Sequence, residues 1–377
     1  MKIAVNARFL LPGQLEGIGW YTYEVVSRMV AAHPEDTFYL LFDRPYDERF
    51  RFGPNVEMKV VPPPARHPLL WLAWFEWSMP RVLKRLEADV FFSPDNYCSL
   101  SAKAPTAMVM HDIAYAHFPK QIPWLSRQYY RHFVPRYLHR ADRVLTVSEF
   151  TARDLVETLD VSAEKVQVTW NGPRGVFHPL SDAEKQRVRA QYSQGKPYFL
   201  YVGAIHPRKN VHRMIRAFDI FKNKTGAPHQ LLLAGRWAWQ TGAVRSAYEN
   251  AEYREAIHFL GYLEDDQLPE VLGGAFALTY VSLWEGFGLP VLEALYADVP
   301  VIYADATSLP EVAGPAGIGV DPMSETDIAT GMLKLVENEE LSADLIAKGR
   351  HQRGKFSWEQ TAENVYAVLR DLGMGKV

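Results

Sequence analysis

The chain has 377 residues, 48% hydrophobic and 23% charged, with a net charge of −3 and an isoelectric point near 6.5. At about 150 residues per domain this is material for two cores, and the charge balance excludes a nucleic-acid-coating protein. The single cysteine, Cys98, excludes an intramolecular disulfide framework and a zinc–thiolate cluster.

The N-terminus, MKIAVNARFL, lacks the apolar core and cleavage site of a signal peptide and reads as an immediate strand. No stretch approaches the roughly 18 uninterrupted apolar residues of a membrane span. A cytoplasmic chain is expected, with no more than peripheral contact at the inner face of the membrane. Strands are predicted at 2–6 (KIAVN), 38–42 (FYLLF), 89–92 (DVFF), 106–110 (TAMVM), 143–147 (RVLTV) and 165–169 (KVQVT). Helical patterns lie between them, including 148–158 with Ser148 as N-cap. Near-continuous apolar strands alternating with helices indicate parallel sheets covered on both faces.

Residues 67–87 place Trp71, Trp74 and Trp77 at helical spacing. That stripe reads as core or as a face toward lipid or an apolar ligand. The basic run RHFVPRYLHR at 131–140 reads as a solvated helix face or as an attraction for anionic lipid.

The alternation pauses over 171–197, where Gly, Pro and charge surround one short helix, an inter-domain connection by composition. A second series follows, with strands at 198–203 (YFLYVG), 231–235 (LLLAG), 257–261 (IHFLG), 276–281 (FALTYV) and 299–303 (VPVIY). Two such series predict an α/β fold of two doubly wound, Rossmann-like parallel-sheet domains facing a cleft. In such sheets ligands bind beyond the carboxyl ends of the strands. The domains are placed at 1–175 and 176–355. The tail 356–377 holds an amphipathic helix, opened by a capping-box pattern from Ser357 to Gln360, that is expected to cross back to the first domain.

Two strand ends carry chemistry. In EGFGLPVLE at 285–293, Pro290 suits the first helical position, so Gly286 and Gly288 lie just ahead of a helix N-terminus. That end presents free N–H groups and about half a positive charge, and glycines let a phosphate approach the backbone. Glu293 is read in the first turn, where a carboxylate can accept from vicinal ribose hydroxyls or simply favour the helix dipole. Glu285 can reach a sugar hydroxyl. In YVGAIHPRKN at 201–210, Arg208 and Lys209 open a helix against its dipole, which an anion that neutralises them would explain, the alternative being a solvated pair on a loop. His111 ends the strand TAMVM, and Asp112 reads as a cap for the segment that follows.

These residues resemble the retaining glycosyltransferases of family four, which have the GT-B architecture. The resemblance runs through EGIG at 16–19, MHD at 110–112, VSEFTARDL at 147–155, WNGP at 170–173, PRKN at 207–210, FLGYLEDDQL at 259–268, EGFGLPVLEA at 285–294 and SLPEVAG at 308–314. It implies a nucleotide-diphosphate sugar held by the C-terminal domain as co-substrate, no other cofactor and no metal. The N-terminal domain would hold a glycan or lipid-linked acceptor.

By position, Glu293 would bind the donor ribose. Glu285 and the backbone of Gly286, Phe287, Gly288 and Leu289 would contact sugar and phosphates. Arg208 and Lys209 would neutralise the diphosphate, and Tyr262 and Leu263 would surround the nucleobase. His111 would hydrogen-bond the donor sugar, with Gly17 and Gly19 forming a loop that admits acceptor or phosphate. Many relatives carry an arginine after the glycine of YVG, and here that position is Ala204. The shorter PRKN pattern resembles a subgroup that often holds mannosyltransferases, which makes GDP-mannose one candidate donor beside other GDP, UDP and ADP sugars. A nucleotide-sugar epimerase and a non-catalytic sugar-nucleotide-binding protein are the competing readings.

Overall fold

A computed structural model describes residues 1–13, 15 and 17–375. The chain divides into two compact units, Met1–Asn171 with Ser357 onward, and Gly172–Phe356.

The first unit is a seven-stranded parallel sheet. Its strands are β1 (Lys2–Asn6), β2 (Thr37–Phe42), β3 (Val56–Val60), β4 (Val90–Ser93), β5 (Thr106–Met110), β6 (Arg143–Thr146) and β7 (Val166–Val168). Their order is β3-β2-β1-β4-β5-β6-β7, so the direction of winding reverses between β1 and β4. Central strands such as β4 and β5 are buried at every position, as a sheet covered on both faces requires. β3 carries no continuous apolar run: VEMKV alternates and sits at the sheet edge, where Glu57 and Lys59 discourage further pairing. For that reason its composition did not mark it as a strand.

The second unit repeats the scheme with six parallel strands: β8 (Tyr198–Val202), β9 (Gln230–Ala234), β10 (Ile257–Gly261), β11 (Ala277–Tyr280), β12 (Val301–Ala304) and β13 (Gly317–Val320). The order β10-β9-β8-β11-β12-β13 puts its reversal between β8 and β11. The edge strand β13, GIGV, is also silent in composition, because two of its four residues are glycine.

Several local expectations change. The helix Asp182–Ser193 is no linker. Val188 is buried, Arg189 Nε donates to the Gly274 carbonyl at 3.0 Å, and Arg187 pairs with Glu270 at 2.8 Å, which ties it to the second unit. It opens on a complete capping box between Ser181 and Glu184. The box expected at Ser357 is only half formed: Ser357 Oγ accepts from the Gln360 amide, but the Gln360 side chain turns to Glu363 and Asn364. The helix it opens, Trp358–Gly373, packs within the first unit against the helix Gly17–Ala32. Tyr366 donates to Asp36 at 2.7 Å, Arg28 pairs with Glu359 at 2.8 Å, and the Trp358 and Tyr21 rings meet edge to face.

The tryptophan stripe is split. Trp74 is fully buried and its indole donates to the Val61 carbonyl, Trp71 donates to Ala65 and stacks on Tyr130, and Trp77 is exposed. A five-residue π-helical segment, Trp74–Ser78, interrupts the helix and takes Trp77 off the packed face. The basic run lies on the helix Trp124–Arg140, with Val134, Tyr137 and Leu138 buried and Arg131, His132 and Arg136 exposed. Among the described residues no helix is long and apolar enough to cross a membrane.

Candidate functional site

In a doubly wound sheet the crevice for a ligand opens outside the carboxyl ends of the strands where the winding reverses. In the second unit that point lies between β8 and β11, and the two segments leaving those strands carry PRKN and EGFG.

After β8 the chain does not enter a helix at once. Pro207–Lys209 forms a single 3-10 turn, and His206 caps it by accepting the Arg208 amide on Nδ1 at 3.2 Å. Asn210 then takes a left-handed conformation, φ +61°, and the helix Val211–Thr225 starts beyond it. Arg208 and Lys209 therefore precede the helix instead of opening it. The buried Asn210 fixes the turn, since its side-chain amide donates to the carbonyls of Val281 at 3.0 Å and Pro322 at 2.7 Å.

The anion expected between the two cations is present in the chain itself. Lys209 Nζ lies 2.5 Å from Glu285 Oε1 and donates to the Tyr280 hydroxyl at 2.9 Å. Arg208 Nη1 donates to the Trp284 carbonyl at 2.6 Å and stands 3.7 Å from Glu285 Oε2. The Leu283 amide donates to the Arg208 carbonyl, which joins the two segments through backbone. Burial alone would raise the Glu285 carboxyl, but the charges of Lys209 and Arg208 and the hydrogen bond from Lys209 outweigh it, so the group is held below the usual carboxylate value. Burial and the same two cations depress the His206 imidazole to about 4, so it is neutral at neutral pH.

The glycine segment is held by groups that composition did not single out. The Glu285 amide donates to Thr307 Oγ1 at 3.3 Å, and the fully buried Ser308 hydroxyl lies 3.0 Å from the Glu285 carbonyl and 2.9 Å from that of Phe287. Gly288 stands at φ +105°, and a Cβ there would lie 2.5 Å from Leu309 Cδ2. Only glycine meets both conditions. Phe287 is buried with its ring edge-on to Phe356. The helix that follows is Leu289–Tyr296, so Leu289 is its first residue and Pro290 its second.

Glu293 is the fifth residue of that helix, in the second turn, and its first turn holds no acidic residue. The dipole explanation therefore lapses. Glu293 is only 3% exposed and accepts from Arg174 Nε at 2.7 Å, while Arg174 also faces Asp265 at 3.4 Å. Burial raises the Glu293 carboxyl and the Arg174 guanidinium draws it down, the net direction being upward. Arg174 follows directly on the WNGP stretch, and that adjacency was the only signal for it. Tyr262, exposed, and Leu263, half-buried, follow β10 as expected, with Asp265 two residues further on.

In the first unit, Gly17 and Gly19 form no loop: both lie in the first turn of the helix Gly17–Ala32, and Glu16 of the EGIG stretch lies outside the described residues. A Cβ at Gly19 would sit 2.7 Å from the Phe9 carbonyl oxygen, whereas Gly17 faces open space. His111 leaves β5 with its amide donating to Asn96 Oδ1 at 2.7 Å and its ring Nε2 2.8 Å from the Pro94 carbonyl. A carbonyl can only accept, so Nε2 carries the proton and Nδ1 is left as the acceptor. Burial lowers the ring's pKa, which favours this neutral form. Asp112 accepts from the Ala114 amide at 2.9 Å, one residue ahead of the N-cap position of the short helix Ala114–His117, which Ile113 occupies. Beside His111, Arg8 is buried against Asp95 at the ends of β1 and β4, a pair that no local pattern in the sequence marks. Among the described residues no group of three or more His, Cys, Asp or Glu is placed to hold a metal ion.

Comparison with known proteins agrees with this geometry. The family described as Glycosyltransferase Family 4 matches residues 15–173, and that described as Glycosyl transferases group 1 matches residues 182–352. The chain is 29% identical over 374 residues to O-antigen chain mannosyltransferase B of Escherichia coli, covering 94% of this chain and 97% of that protein. It is 24% identical to O-antigen chain mannosyltransferase RfbU of Salmonella typhimurium, covering 83% and 82%. Among solved structures, a sucrose-phosphate synthase from Thermosynechococcus elongatus superposes with a TM-score of 0.78 at 17% identity, over 99% of both chains, a likeness of fold. With a parallel sheet reversing at the PRKN and EGFG segments in one unit, and both halves matched, the chain belongs to the family 4, group 1 glycosyltransferases of GT-B fold.

Proposed function

We propose that this glycosyltransferase moves mannose from GDP-mannose to a hydroxyl of a glycan or lipid-linked acceptor, with retention of configuration, in O-antigen-type polysaccharide synthesis. The observation that carries the transferase assignment is the convergence of Lys209, Arg208 and Glu285 at the winding reversal of the second sheet. The mannosyl assignment rests on the likeness to two O-antigen mannosyltransferases.

In the reaction, the bond from the anomeric carbon to the diphosphate oxygen breaks and the acceptor oxygen bonds to that carbon from the same face. The acceptor proton passes to the departing diphosphate. Negative charge grows on the leaving group, and in this reading the Lys209 and Arg208 side chains and the backbone N–H groups ahead of Leu289 stabilise it without a metal. Glu285, held ionised, accepts a hydroxyl of the sugar. Gly286, Phe287 and Gly288 let phosphate approach the backbone, Glu293 accepts from the ribose, and Tyr262 and Leu263 flank the base. His111 Nδ1 accepts from a sugar hydroxyl. The acceptor is assigned to the first unit, whose exposed cations on the helix Trp124–Arg140 support weak peripheral contact with an anionic membrane.

A thermal-shift screen with GDP, UDP and ADP sugars names the base, since binding to the native state raises the melting temperature. GDP-mannose is expected to give the largest shift, and adding a mannose-ended lipid-linked acceptor should release GDP, unaffected by EDTA, with an α-linked product by NMR. No shift with any of the three, or a β-linked product, overturns the assignment.

A further inference from the structure

We infer that Arg174 is the positioning residue of the donor site: it holds the Glu293 carboxylate by one oxygen and leaves the other turned to the ribose hydroxyls. This rests on the proposed role of Glu293. Four observations carry it. Glu293 is 3% exposed, inside a helix where no backbone N–H is left over to bind its carboxylate, so a side chain must orient it. Arg174 Nε reaches Oε1 at 2.7 Å, while among the described residues Oε2 accepts no hydrogen bond. Arg174 is itself fixed: Asp265 faces Nη1 at 3.4 Å, and the Phe177 ring lies 5.0 Å from the guanidinium carbon. Asp265 also follows Tyr262 and Leu263 closely, so one arginine links the ribose carboxylate to the segment assigned to the base.

An isolated buried carboxylate gives up its charge, and a neutral acid is a poor acceptor for a diol. Arg174 counters this, and its planar fork sets the direction in which Glu293 points. A lysine in its place keeps the charge and loses the direction.

The test compares binding of GDP with that of 2′,3′-dideoxy-GDP by calorimetry to the wild type, Glu293→Gln, Arg174→Lys and Arg174→Gln. The wild type is expected to prefer the ribose form by at least about tenfold, the size of one hydrogen bond to a charged group. Glu293→Gln should bring the ratio near one, Arg174→Gln close to it, and Arg174→Lys in between. If Glu293→Gln abolishes the preference and both Arg174 variants keep it in full, Arg174 does not position Glu293. If the wild type shows no preference, or Glu293→Gln retains it, the ribose role of Glu293 itself fails. Should Arg174→Gln not fold, as an unpaired buried carboxylate could cause, Arg174→Lys together with the charge-neutral double variant Arg174→Gln/Glu293→Gln decides. A ratio for Arg174→Lys equal to that of the wild type then overturns the inference, and a reduced one supports it.

Discussion

Lys209→Met separates two roles that the structure superimposes. Lys209 Nζ is 2.5 Å from Glu285 Oε1, and the two side chains are only 15% and 10% exposed. The pair therefore belongs with buried ion pairs, whose one-sided removal costs about 3–5 kcal/mol, and not with surface pairs worth under about 1 kcal/mol. Arg208 remains 3.7 Å from the other oxygen, which points to the lower end, about 3 kcal/mol. If Lys209 also stabilises the leaving diphosphate, turnover should fall about 10²–10³-fold, the loss typical of one preorganised charge or donor at a developing anion. Glu285→Gln distinguishes the two. Urea unfolding of Lys209→Met, Glu285→Gln and the double variant should show the stability loss largely repaired in the double variant, since no unpaired carboxylate is left. Single-turnover transfer from GDP-mannose should show no such repair, the double variant staying about 10²-fold below Glu285→Gln alone. A double variant as fast as Glu285→Gln would mean that Lys209 acts only by neutralising Glu285, and would refute its leaving-group role.

Gly288→Ala meets both positive φ and a contact of 2.5 Å with Leu309, and should cost roughly 2–4 kcal/mol. Thermal unfolding reads this directly, with Leu309→Ala recovering only the steric share; an unchanged melting temperature would show the loop relaxes freely. Gly19→Ala must displace the Phe9 carbonyl and should lower stability, while Gly17→Ala faces open space and should leave it unchanged or raise it by up to about 1 kcal/mol. Lost transfer in Gly17→Ala with an intact melting temperature would place that position at the site; unaltered transfer would remove it. For pH, the depressed His206 makes stability fall as pH drops from 6.5 towards about 4. Glu285, held below 4.5, adds a further loss as pH falls from 4.5 through its folded value, which Glu285→Gln should remove. Glu293 is raised, so its contribution has the opposite sign: relative to Glu293→Gln, the wild type should lose stability as pH rises above 4.5. Urea midpoints from about pH 3 to pH 8 for the wild type, His206→Asn, Glu285→Gln and Glu293→Gln check all three signs, and curves parallel to the wild type for these variants would contradict them.

The two α/β series were legible because a parallel strand buried on both faces must be apolar along its length, as YFLYV and TAMVM are. Edge strands escape that requirement, which is why VEMKV and GIGV stayed hidden. The glycine segment and the PRKN turn were readable for a similar reason: glycine at a left-handed position and proline in a first helical turn are local demands, visible wherever they fall. Local rules also misplaced details. They put Glu293 in a first turn by starting its helix at Pro290 where it starts at Leu289, and Arg208 with Lys209 at a helix start, because they could not see that Asn210 would break the chain after them through bonds to Val281 and Pro322, far along the sequence.

Which charges meet is settled by the packed fold. Two wound sheets and two strand-end segments rich in anion-binding groups are written in the residue order alone. That order could not say that the partner of Lys209 is Glu285, 76 residues away, or that Arg174 reaches Glu293 across 119. Burial causes this. Once the fold removes these side chains from water, each carboxylate needs a cation to stay ionised, and the pairs that form are set by the winding of the sheet and not by neighbours in the chain.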